Sequence, residues 1–107
     1  MNSFIVGLKI KSYSSFAIVA KILREYQECS FSEIKAKIDR NEYLLCYACS
    51  DRLGVKKVIS CYEKLVASSV EVLLYELDNR ETTIEKLRIR DNTYDSISNE
   101  IDNEDNS

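Results

Sequence analysis

The sequence predicts an α+β fold, read more narrowly as a two-layer α/β sandwich. It has a three-stranded sheet in β-α-α-β-α-β order and an appended C-terminal helix. Three observations predict it. An alternating segment opens the chain, strand-forming runs recur at Tyr43 and Val70, and capped amphipathic stretches fill the intervals. With 107 residues, 45% of them hydrophobic, the chain can build one domain around a modest core.

The first strand is FIVGLKI. Phe4, Val6, Leu8 and Ile10 share one face, and Ile5, Gly7 and Lys9 the other, the signature of a half-buried strand. SYSS then turns the chain, and Ser14 or Ser15 can cap a helix. Phe16, Val19, Ile22, Leu23 and Tyr26 recur at three- and four-residue steps, which predicts a helix from Ser15 to Gln27. Ser30 and Glu33 fit a capping box, so a second helix starts at Phe31 with Phe31, Ile34 and Ile38 inward, and ends at Arg40 and Asn41.

YLLCYA, from Tyr43 to Ala48, is nearly all apolar and reads as a central strand. Ser50 or Asp51 caps a third helix, whose buried stripe is Leu53, Val58, Ile59, Tyr62, Leu65 and Val66. Gly54 weakens its first turn, by about 1 kcal/mol relative to alanine in a helix interior. VEVLLYEL, from Val70 to Leu77, is the third strand; if it lies parallel beside the second, the helical crossover is right-handed. Thr82 and Glu85 form another capping box. The helix from Thr83 shows Ile84 and Leu87, then Tyr94, Ile97 and Ile101. The expected organisation is a sandwich over residues 1–80, the helix over 81–102 and a disordered acidic tail over 103–107.

Charge is unevenly spread. All fifteen Lys and Arg lie at or before Arg90 with twelve acids, leaving +3, while six acids and no base follow, giving −6. A mildly basic body thus carries an acidic end, which reads as a solubilising tail or an arm for a basic partner. No apolar run is long enough for a membrane span, and MNSFIVGLKI lacks the features of a signal peptide, so a cytoplasmic location is expected.

Catalytic equipment is sparse. There is no histidine, no Gly-rich phosphate loop and no P-loop lysine, so neither an enzyme nor a cofactor is expected. Cys46 and Cys49 form a CxxC, but Cys46 falls inside a strand rather than at a helix N-terminus and differs from Cys49 in alternation phase. A zinc site would need two further ligands, so Cys29, Cys46, Cys49 and Cys61 read as core or half-buried thiols and no metal is expected. Nucleic-acid binding through Lys9, Lys11, Lys21, Arg24, Lys35 and Lys37 is a third-ranked reading, because GxxG and RNP patterns are absent. Tyr13 and Tyr94 fall outside the apolar stripes and are candidate interface anchors.

The segment AIVAKILREYQECSFSEIKAKI, with the β-α-α-β-α-β order around it, resembles the C-terminal domain of the bacterial ribosomal stalk protein. That fold is similar in outline to the Clp protease adaptor, and the likeness covers Phe4 to Leu74. The resemblance implies a face on the first two helices that binds translational GTPases, with basic positions matching Lys21, Arg24 and Lys35. The chain departs from it at the Gly-Leu-Gly corner, which is Glu28-Cys29-Ser30 here, at Phe16, which replaces a lysine, and at Ala20, which replaces a larger apolar residue.

A stand-alone, non-enzymatic protein-binding module is therefore expected. Its most concrete form is a small intracellular inhibitor of the immunity type, which neutralises a toxin. The alternative is an adaptor or translational-GTPase binder. The candidate contact residues are Lys21, Arg24 and Lys35 on the helical corner and Tyr94, Asp95, Glu100 and Asp102 towards the acidic end.

Overall fold

The computed structural model describes residues 4–77, 80–89 and 91–92. The elements run β1 (Ile5–Ser12), α1 (Phe16–Leu23), α2 (Phe31–Asp39), β2 (Leu45–Ala48), α3 (Arg52–Ala67), β3 (Glu71–Leu77) and β4 (Arg80–Thr82). Residues 84–89 and 91–92 are also helical. The fold is α+β, and among the described residues no helix is long and apolar enough to cross a membrane.

The sheet is antiparallel throughout, in the order β2-β1-β3-β4. Two expectations are corrected here. The sheet has four strands, not three: β4 folds back on β3 with Leu74 opposite Thr82 and Tyr75 opposite Glu81. At three residues, Arg-Glu-Thr, it is too short and polar to show a period. YLLCYA is not a central strand, because β2 forms an edge. β2 and β3 both oppose β1, so they run in the same direction with β1 between them and are not neighbours.

Alternation along β1 divides the sheet's faces. Val6, Leu8 and Ile10 are buried in the core with Val19, Leu23, Ile34, Val58 and Leu65 of the helices. The opposite face carries Lys9, Tyr43, Cys46 and Tyr75, with the Lys9 ammonium 4.8 Å and 4.9 Å from the two tyrosine ring centroids. The lysine's methylene stem and the rings thus cover part of the sheet face opposite the core.

Both glycines of the chain accommodate tyrosines. A Cβ on Gly7 would come within 2.5 Å of Cδ1 of Tyr43, and one on Gly54 within 2.5 Å of Cβ of Tyr47. Gly54 is buried under that ring, so it permits close packing of α3 on β2.

The caps explain where helices start. Ser15, Ser30 and Asp51 are extended and accept hydrogen bonds from the backbone N–H groups of Ile18 at 3.5 Å, Glu33 at 3.2 Å and Gly54 at 2.9 Å. α2 and α3 stop without glycine. Asn41 and Ser69 take left-handed φ values of 57° and 65°. Glu42 and Asn41 donate back to Lys37 and Ile38, and Val70 and Ser69 donate back to Leu65 and Val66, which are two Schellman closures. α1 is shorter than expected: it ends at Leu23, and residues 24–26 are turns.

Some inward assignments fail. Leu53 is 72% exposed and Val66 is also exposed, because α3 buries Val55, Val58, Cys61 and Leu65 instead. Thr82 is in β4 and donates to Glu76 at 2.9 Å; the cap of the last helical segment is Thr83, which accepts from the Lys86 N–H at 3.4 Å. That segment belongs to the core through Ile84 and Leu87, and Arg88–Glu63 at 3.3 Å and Lys56–Asp91 at 3.1 Å tie it to α3. Tyr94 and the residues beyond it lie outside the described residues.

Candidate partner-binding face

The corner between α1 and α2 is built from turns and an extended cap. No residue from Arg24 to Ser30 has positive φ, so the corner needs no glycine. Gln27 anchors it from within by donating from Nε2 to the Leu44 carbonyl beside β2. Tyr26 anchors it to α3: its hydroxyl shares a 2.7 Å hydrogen bond with Ser60, and the Lys64 ammonium lies 5.2 Å from its ring while pairing with Glu25 at 3.1 Å. The corner is therefore fixed at two points before any partner arrives.

On its outer side lies a row of three aromatic rings. Tyr13 and Phe16 have centroids 6.1 Å apart, and Phe16 meets Phe31 edge-to-face at 6.3 Å. A cation sits at each end. The Arg24 guanidinium lies 5.1 Å from the Phe31 centroid. The Lys35 ammonium lies 5.6 Å from the Phe16 ring and donates to the Tyr13 hydroxyl at 2.9 Å. That hydrogen bond is the main reason the Lys35 pKa is held above its ordinary value.

Phe31 is 52% exposed, which corrects the inward assignment based on its spacing to Ile34 and Ile38. Ile34 is buried, Ile38 is half-buried, and Phe31 turns outward against Phe16. Lys21, Arg24 and Lys35 are all exposed. Among the described residues none of the three has a carboxylate at ion-pair distance, whereas Arg40, Lys56, Lys64 and Arg88 do. Lys21 lies in the last turn of α1 and Arg24 caps it, so both also face the negative end of that helix's dipole.

The structure thus brings Arg24 and Lys35 to one aromatic row and leaves Lys21 on the adjacent helix surface. Tyr13 joins the row. Phe16 and Phe31 are not legible as site residues from spacing, because the row joins Phe16 of α1 to Phe31 of α2 across the corner. Tyr94, Asp95, Glu100 and Asp102 lie outside the described residues.

Burial favours the protonated form of Cys29, Cys46 and Cys61. Burial pushes Cys29 up, opposed in part by Lys37 and Arg24; it also raises Cys46, and carries Cys61 to about 12. Cys46 is exposed and Cys49 buried, on opposite sides of the sheet edge. Among the described residues no group of three His, Cys, Asp or Glu is placed to hold a metal ion. A cleft of about 190 Å³ between β3 and the last helical segment is lined by Tyr62, Leu73, Thr83 and the carboxylates of Glu81 and Glu85.

No protein-family model matches the chain, and neither a curated protein nor a solved structure is significantly similar to it.

Proposed function

We propose that the chain is a non-enzymatic protein-binding module whose partner contacts the outer face of α1 and α2. One observation carries this reading: Arg24 lies on the exposed Phe31 and Lys35 on Phe16 further along the row, and among the described residues neither cation has a carboxylate at ion-pair distance. Aromatic and arginine side chains are the usual anchors of protein interfaces, and a rigidly held anchor loses little entropy on binding. The test is affinity purification from the native cell with the wild-type chain and with an Arg24→Glu, Phe31→Ala variant. A partner depleted with the variant supports the reading; recovery of the same partners at the same levels sinks it.

In the fuller form of the proposal, the partner is a toxin and the chain its immunity-type inhibitor. The charge split supports this form, since the six acids after Arg90 suit a basic toxin. Co-expression with the product of the adjacent upstream gene should then rescue growth. The second form, an adaptor or a translational-GTPase binder, draws on Lys21, Arg24 and Lys35. It requires that Lys21→Ala and Lys35→Ala each weaken capture of an elongation factor.

A further inference from the structure

The cations of the α1–α2 face are seated on ring faces, and this restricts what the face can bind. We propose that it takes an acidic peptide segment in which one aromatic or aliphatic anchor is flanked on both sides by Asp or Glu. This rests on the reading of that face as the partner surface.

The anchor packs on Phe31, the exposed member of the row. The flanking carboxylates pair with Arg24 at one end and Lys35 at the other. A carboxylate can approach either cation from the solvent side without breaking its contact with the ring. Arg24 is suited to a bidentate carboxylate contact, whereas Lys35 offers a point charge that Tyr13 already orients.

A nucleic-acid strand fits less well. Glu28 and Glu33 are exposed at the same corner. With Asp39, whose charge acts on Lys35, they disfavour a continuous phosphate backbone more than one or two isolated carboxylates. A basic peptide would meet Arg24 and Lys35 and is disfavoured on charge.

Selection of short random peptides on the immobilised full-length chain tests this, followed by fluorescence anisotropy with the enriched peptides. Enriched sequences should place Asp or Glu on both sides of one large apolar residue. Arg24→Glu, Lys35→Glu and Phe31→Ala should each weaken them at least roughly tenfold, while Lys86→Glu, outside the face, should not. Circular dichroism melts of each variant establish that it is folded.

Enriched peptides without acidic flanks that still depend on Phe31 would overturn the acidic chemistry and leave the face a protein-binding surface. Peptides indifferent to all three substitutions, or no enrichment, would overturn both. A labelled single-stranded oligonucleotide that binds with a steep salt dependence and is lost in Arg24→Glu would overturn the peptide in favour of nucleic acid.

Discussion

The ring of Tyr47 lies against Gly54, where a side-chain methyl would come within 2.5 Å of the tyrosine Cβ. Helix propensity alone ranks alanine about 1 kcal/mol above glycine in a helix interior. The contact reverses that sign. Gly54→Ala should lose about 1–2 kcal/mol in urea unfolding, because overpacking exceeds the propensity gain. In a Tyr47→Ala background the same substitution should become stabilising. A gain in the wild-type background would mean that the ring can move aside freely.

Ser69 ends α3 at φ 65°, a conformation that costs a residue with a Cβ about 1 kcal/mol. Ser69→Gly should therefore raise stability by about that amount, readable as an increase in Tm. Asn41→Gly should give a smaller gain, since asparagine tolerates the left-handed region better.

Tyr26→Phe removes the hydroxyl bonded to Ser60 at 2.7 Å and should cost about 1 kcal/mol. Ser60→Ala should cost a similar amount. The double substitution should cost less than the two losses added, because each single change leaves the other hydroxyl without its partner. Additive losses would show that the two groups do not interact.

Cys61 is fully buried, and its thiol is pushed up to about 12 from an ordinary value of 9.0. The folded state then keeps a proton that the unfolded chain releases above pH 9. Stability from this group is intact below pH 9 and falls between 9 and 12, at up to about 1.4 kcal/mol per pH unit. Cys61→Ala lacks this slope, so the stability difference between wild type and variant should shrink as pH rises from 9 to 11. A constant difference would contradict the assignment.

Local signals were legible where local physics decides. The β1 alternation and the helix caps are patterns of short range: Val6, Leu8 and Ile10 are buried as expected though Phe4 is exposed outside the strand, Ser30 caps α2, and of the paired alternatives Ser15 and Asp51 are the caps. The edge position of β2 was not legible. Its apolar look has local causes: Leu44 and Leu45 enter the core, Tyr47 meets Gly54, and only Cys46 and Ala48 are exposed. Which strand is central depends on α3 carrying the chain over β1, a long-range event. β4 depends likewise on pairing with β3 rather than on its own residues.

The site was half legible. The basic residues of the corner stood out by charge. Phe31 did not, because its spacing to Ile34 and Ile38 mimics a buried stripe, while α2 buries mainly Ile34. Phe16, whose spacing fits the α1 stripe, sits at the centre of the aromatic row.

The α1–α2 face is the proposed partner surface. The most direct measurement is the dissociation constant of the partner recovered from the cell, for wild type and for Arg24→Glu, Phe31→Ala. Both side chains are exposed, so the variant should keep the wild-type Tm within a few degrees. Its binding should weaken by roughly 10- to 100-fold, corresponding to about 1.4–2.8 kcal/mol. An unchanged dissociation constant in a folded variant would contradict the claim.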